Sequence, residues 1–230
     1  MSDIFTTSTF AGVTISLIAY AVGAFLKRKL KLAILNPLLI SILFTIALLA
    51  AGDIEYEKYN EGAKYLSYLL TPATVCLAIP LYEQFELLKS NFKAIAVGII
   101  SGVITSLTTV FVCALIMNLS HKEYVTLLPK SITTAIGMGV SEELGGYVTI
   151  TVAVIIITGV LGNIIAEPVC KIFHIEEPIA KGIAIGSSSH AIGTAKAMEM
   201  GQIEGAMSSL SIAVAGLLTV IGASIYSIFL

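Results

Sequence analysis

Long apolar stretches nearly free of charge recur along this chain, at residues 10–26, 37–51, 94–117, 148–165 and 206–229. An α-helix needs about 20 apolar residues to cross the hydrocarbon of a bilayer, and a water-soluble core of this size has no room for so many runs of that kind. Composition points the same way. The chain is 57% hydrophobic and 12% charged, against about a quarter charged in an ordinary soluble domain. Counted in spans of about 20 residues, 230 residues leave room for about seven or eight.

Between the plain spans lie three less regular stretches, 65–82, 127–140 and 182–200. They carry Pro72 and Pro80, then Pro129 and Lys130, then His190 and Lys196, and each either crosses or turns back. The expected fold is an all-α polytopic membrane protein of about seven to eight transmembrane segments, several of them interrupted or re-entrant. Residues 1–230 form a single integral membrane domain in this reading.

Charge sets the orientation. Ser2 and Asp3 precede the first apolar run without a positive charge, whereas Lys27, Arg28, Lys29 and Lys31 follow it, the order of a retained helix rather than a cleaved signal. Basic residues gather in cytoplasmic loops, which places the N-terminus outside. The next loop agrees, mixing Asp53, Glu55, Glu57 and Glu61 with Lys58 and Lys64. If every stretch crosses, both ends face outward. A net charge of −2 and the absence of a basic tail exclude nucleic acid as a partner.

A faint internal echo accompanies the irregular stretches. Aligning Leu70 with Leu127 pairs Pro72 with Pro129, Ala78 and Ile79 with Ala135 and Ile136, and Glu86 with Glu143. Ala191 and Ile192 repeat the same step, with Glu199 in register with Glu143. Repeated units are expected near 65–118, 127–166 and 182–230, the kind of repetition from which transporters build sites out of broken helices.

Inside hydrocarbon, a helix broken by Pro or Gly persists only where protein or a water-filled cavity satisfies the freed backbone groups. A broken end also exposes N–H groups and partial positive charge, an anion site whose natural ligand is a carboxylate. In the run from Leu128 to Gly139, Pro129 stands at an expected helix start, Lys130 adds a full charge, and Ser131, Thr133 and Thr134 add hydroxyls. The bland alternative is an interfacial helix whose lysine snorkels. The run from Gly186 to Lys196 holds Ser187, Ser188, Ser189, His190, Thr194 and Lys196, a density that is costly in a membrane unless it faces a pathway. Thr71 and Thr74 complete the substrate-binding candidates, and His190, Glu142 and Glu143 are the proton-coupling candidates. Solvated helix ends are the simplest explanation of the glutamates, and Gly98 with Gly102 fits a helix-contact pattern.

Cys76, Cys113 and Cys170 have neither CxxC spacing nor a zinc-like setting, so they read as reduced packing residues and no metal site is expected. No P-loop, Rossmann, HExxH or GxSxG pattern is present. No cofactor, enzymatic activity or ATP-driven transport is expected.

Asn36-Pro-Leu-Leu, Thr71-Pro-Ala-Thr-Val-Cys-Leu-Ala-Ile-Pro-Leu-Tyr82, Leu128-Pro-Lys-Ser-Ile-Thr-Thr-Ala-Ile-Gly-Met-Gly-Val-Ser-Glu-Glu-Leu-Gly-Gly146 and Gly186-Ser-Ser-Ser-His-Ala-Ile-Gly-Thr-Ala-Lys196 carry a specific resemblance. In these segments, and nearly end to end, the chain resembles the LrgB/CidB family of antiholin-like bacterial membrane proteins. The resemblance implies two readings. Relatives move small carboxylates, a plastid one exchanging glycolate and glycerate and bacterial ones acting in pyruvate uptake; the family was also described as modulating lysis and murein hydrolases. It further implies a small LrgA/CidA-like membrane partner and a place in the bacterial inner membrane. Taken together, the expectation is a secondary transporter of small monocarboxylates or hydroxycarboxylates, possible proton coupling included, embedded in the lipid bilayer as a homo-oligomer. Its alternative is a non-transporting regulator of lysis.

Overall fold

The computed structural model describes residues 10–30, 36–76 and 78–230, apart from the side chains of Leu70, Thr71, Thr74 and Leu81. Lys31 of the basic cluster therefore lies outside the described residues, as do the side chains of the candidates Thr71 and Thr74. The described residues form helices and no strand. In chain order they are α1 (Ala11–Leu30), α2 (Pro37–Ala51), α3 (Tyr56–Ser67), α4 (Leu70–Cys76), α5 (Ala78–Glu83), α6 (Phe85–Ser90), α7 (Phe92–Met117), α8 (His121–Leu127), α9 (Thr134–Glu143), α10 (Val148–Ile172), α11 (Pro178–Met200) and α12 (Gln202–Tyr226), closed by a 3-10 turn at Ser227–Phe229. Among the described residues, four helices are long and apolar enough to cross a membrane: α1, α7, α10 and α12 with its closing turn. The apolar helix α2 is shorter, at 15 residues.

Two compact units divide the chain, residues up to Cys76 and residues from Leu77 onward. In the first unit, α1 packs on α2 and α3. Asn36 caps α2, its Oδ1 accepting from the amides of Leu38 at 2.8 Å and Leu39 at 3.2 Å, with Pro37 at the first helical position. Ser16 Oγ meets the Tyr59 hydroxyl at 2.7 Å, tying α1 to the amphipathic α3.

The second unit explains what the irregular stretches do. Helix α7 buries one stripe, Ile95, Ile99, Val103, Leu107, Val110 and Ala114, at helical spacing, and leaves Val97, Ile100 and Ile116 on its exposed side, as a lipid-facing helix does. We call the end where α7 begins the near end and the end where it finishes the far end. At the far end, the Tyr124 hydroxyl of α8 donates to the Tyr226 carbonyl at 2.9 Å, and Thr108 Oγ1 meets Tyr226 Oη at 2.7 Å. These contacts join α7, α8 and the finish of α12.

From there the chain enters along α8, turns through residues 128–133 and returns along α9. The start of α10 comes back to α8: the Tyr147 amide donates to Thr126 Oγ1 at 2.8 Å, and Thr151 Oγ1 stands 2.9 Å from the Thr126 carbonyl and 2.7 Å from Ser141 Oγ. The excursion therefore leaves by the end it entered. The turn also corrects one expectation, because Pro129 lies within it and the returning helix starts later, at Thr134, with Thr133 in the N-cap position. A free N–H at a helix start favours proline, but a turn that must present Lys130 and Ser131 leaves the proline upstream.

Helix α11 is a second hairpin. His190 interrupts it with φ 41° and ψ −142°, a conformation costly for a residue with a side chain. Gly182 packs against Glu204 and Met207, while Gly205 packs against Met198. One first turn of α12 thus touches both arms, which a straight helix would hold about 24 Å apart. Gly193 lies against Ile185 for the same reason. This hairpin opens at the near end, opposite to the first, and α10 and α12 run in opposite directions after their hairpins. Of the irregular stretches, then, 127–140 and 182–200 turn back, whereas 65–82 is divided among the end of α3, α4 and α5.

Candidate functional site

Both hairpin tips reach a cavity of about 700 Å³ against the middle of α7. Its walls are mostly small or apolar, including Ala94, Gly98, Ile179, Ile183 and Ala184, with Asn91 and Glu177 at the near end. The glycines of the helix-contact pattern bring the second hairpin this close, Gly98 lying against Ile183 and Gly102 against Ser187.

The polar floor is contributed by the tips. Lys130 Nζ donates to Ser131 Oγ at 2.8 Å and to Ser106 Oγ at 3.2 Å, and the two hydroxyls stand 3.1 Å apart. An ammonium has three N–H donors. Among the described residues, none offers the third an acceptor and no carboxylate is ion-paired with Lys130. Ser187 and Ser188 line the same cavity from the second hairpin. Their hydroxyls donate to Ile183 O and Ala184 O, each at 2.7 Å, so their own oxygens remain able to accept. Gly102 and Ser106 are one turn apart on α7, about 6 Å along its axis, which sets Ser187 and Lys130 at neighbouring levels. The site can therefore hold an anion on an ammonium and hydroxyls within an otherwise apolar chamber.

Other sequence candidates stand elsewhere. His190 is buried, and its Nε2–H donates to the Ile155 carbonyl at 2.9 Å with the ring pressed on Gly159. It anchors the hairpin tip to α10 and does not line the cavity. Ser189 is buried against Gly162, 3.0 Å from Ser188 Oγ. Thr194 is also buried, 3.0 Å from the His190 carbonyl and 2.7 Å from Ser208 Oγ, which ties the returning arm to α12. Thr133 makes no side-chain cap bond, and Thr133 and Thr134 are half-buried outside the cavity wall. Glu142 and Glu143 are exposed at the finish of α9.

Lys196 belongs to a separate near-end cavity of about 500 Å³. There it pairs with Glu167 at 3.1 Å and Glu199 at 3.5 Å, while Lys171 reaches Glu167 at 3.0 Å. Among the described residues no cluster of metal ligands occurs. Sequence reasoning missed Ser106, and with it Ser101 and Thr105 on the same cavity wall. Their spacing on one face of an apolar helix was the available signal.

Comparison with known proteins follows these segments. Residues 16–228 match the model of the LrgB-like family. A relative from Bacillus cereus (strain B4264), named antiholin-like protein LrgB, is 37% identical over 217 residues, covering 94% of each chain. One of the same name from Bacillus anthracis (strain CDC 684 / NRRL 3495) has the same identity and coverage. No solved structure matches the chain.

Proposed function

Because the chain belongs to the LrgB-like family, we propose that it is a secondary carrier of small monocarboxylates or hydroxycarboxylates, of the pyruvate, glycolate and glycerate class. The observation that supports this most is Lys130, an ammonium unpaired among the described residues, held by hydroxyls where two hairpin tips meet a cavity. A cation at such depth is expensive to retain without a pathway or a counter-ion. One ammonium suits one carboxylate, and Ser131, Ser187 and Ser188 suit a neighbouring hydroxyl or carbonyl.

The membrane arrangement belongs to the proposal. Eight segments make up the expected count: α1, α2, the stretch 65–82, α7, α10 and α12 as crossings, and the two hairpins dipping from opposite faces. An outside N-terminus, on the basic cluster after α1, and a place in the cytoplasmic membrane, on the resemblance, are part of the same proposal. The succession of hairpin and span in residues 121–172 recurs in residues 178–226 with reversed direction. Ala135, Ile136 and Gly137 follow the first break as Ala191, Ile192 and Gly193 follow the second, which supports repeated units near 127–166 and 182–230; a unit near 65–118 rests on sequence alone. A small LrgA/CidA-like partner is proposed on the resemblance, and a homo-oligomer as a separate expectation.

A second reading, a regulator of lysis that transports nothing, has its own support in the printed name of the relatives, antiholin-like protein LrgB. Uptake of labelled pyruvate or glycolate into proteoliposomes containing the purified chain separates the two. A carrier gives saturable uptake whose half-maximal concentration Lys130→Gln raises about 10- to 100-fold. If no small carboxylate is taken up, with or without the small partner co-reconstituted, the carrier reading fails and the regulatory one stands.

A further inference from the structure

The site occupies only the middle of a longer polar track. Helix α7 carries Ser101, Thr105, Thr108, Thr109 and Cys113 on exposed surface, on a helix otherwise rich in Ile, Leu and Val. The Lys130 cavity covers this track from Asn91 to Thr109. A second cavity of about 430 Å³ takes it on from Ile104 to Cys113. The two share Thr105 and Thr109, so they form one groove. From Ala94 to Cys113 it extends about 28 Å along the helix, close to the hydrocarbon thickness of a bilayer.

The halves of the groove differ. The near half is the wider and includes Lys130, Ser131 and the second hairpin. In the far half the described lining residues all belong to α7, and the buried side of α7 at that level is sealed against Tyr124, Val125 and Leu128 of the first hairpin. Charge orients the track independently of the first unit. Lys89, Lys93, Lys171, Lys181 and Lys196 stand at the near end of the second unit, whereas Lys122 stands at the far end, a bias that marks the near end as cytoplasmic.

We propose that this face of α7 is the wall of the translocation pathway, with Lys130 as its midway station and the cytoplasmic half open in the present conformation. The proposal rests on the carrier reading. Hydroxyls that satisfy themselves on the preceding turn, as Ser101 does on Gly98 O at 2.9 Å and Thr109 on Thr105 O at 2.7 Å, cost little in an apolar helix and still offer lone pairs to a passing hydrated anion.

The test is cysteine accessibility in vesicles of known sidedness, using the full chain with its native cysteines replaced by serine. A charged, membrane-impermeant methanethiosulfonate attacks only thiolates, which form in water. Ser101→Cys, Thr105→Cys, Thr109→Cys and restored Cys113 should react about tenfold faster than the exposed apolar controls Val97→Cys on α7 and Ile157→Cys at the middle of α10. Ser101→Cys should react first from the lysine-rich face, and saturating pyruvate should slow Thr105→Cys severalfold. Unchanged size-exclusion profiles establish that each variant is folded. Groove rates equal to the controls, or no protection by pyruvate, overturn the pathway. Uptake by the unmodified chain in parallel vesicles keeps this outcome separate from failure of the carrier reading, which shows as no uptake at all.

Discussion

Gly159→Ala attacks the fold at the point where the second hairpin touches α10. A Cβ at this position would lie 2.7 Å from His190 Cε1, 2.8 Å from His190 Nε2 and 2.9 Å from Ile192 Cδ1. Real carbon contacts are found at about 3.5–4.0 Å, so the tip must retreat by most of an ångström. The retreat cannot be taken up by one flexible side chain, because the obstacles are a ring and the residue beside the reversal. Overpacking costs about 1–3 kcal/mol, and stretching the 2.9 Å bond from His190 Nε2 to Ile155 O adds about 0.5–1.5 kcal/mol. The sum, roughly 2–4 kcal/mol, corresponds to a Tm lower by at least about 4 °C in a chain of this length. Thermal unfolding of the purified protein in detergent, followed by labelling of the buried Cys170, measures it. Gly139→Ala is the control, since nothing lies within 4 Å of its added methyl. It should be neutral or stabilising by up to about 1 kcal/mol, the helix-propensity gain. Equal melting of the two variants would refute the close packing of the hairpin tip on α10.

Further outcomes follow from other contacts. Lys130→Met should reduce carboxylate affinity about 10- to 100-fold, the equivalent of a charge-assisted hydrogen bond of about 1.5–3 kcal/mol, measured as the concentration giving half-maximal uptake. Lys196→Gln, which removes the ion pairs to Glu167 and Glu199, should leave uptake within about twofold and lower stability by at most about 1 kcal/mol, because those carboxylates are partly exposed. Asn36→Ala should cost about 1 kcal/mol through loss of the cap on α2, seen as a lower Tm. Spin labels at positions 181 and 199, which line one cavity, should give a distance well short of the roughly 27 Å that a straight helix would impose.

How far the sequence reaches is clearest at the hairpins. The apolar helices were legible as charge-free runs, and α2 and α7 start and finish within two residues of the expected bounds. The density of Ser187, Ser188, Ser189 and His190 marked a break, but the direction taken afterwards depends on backbone reversal at His190, which no period in the residues encodes. Reversal is enforced from outside, by Gly159 and Gly162 on α10 admitting the tip and by α12 receiving both arms. The same contacts redistributed the candidates. His190, Ser189 and Thr194 have their polar atoms engaged by neighbours, so the chemistry that made them conspicuous serves the hairpin.

Lys130 was legible because a lysine beside proline and hydroxyls in an apolar region has few uses. Its partner Ser106 was missed although Ser101 and Thr105 stand near it on the same apolar helix, since hydroxyls there commonly bond the preceding turn and only the fold brings Ser106 within 3.2 Å of the ammonium. Lys196 was a candidate on the same ground as Lys130, a cation beside hydroxyls in an apolar region. Its acidic partners Glu167 and Glu199 at the near end distinguish it, and of these Glu167 is distant in sequence.

Equilibrium binding of labelled pyruvate to the purified protein tests the central claim most directly, because it reports on the Lys130 chamber without requiring transport. Saturable binding that unlabelled glycolate displaces, succinate does not, and Lys130→Met weakens about 10- to 100-fold is the predicted result. Binding that survives Lys130→Met unchanged, or is absent from the folded unmodified chain, would contradict it.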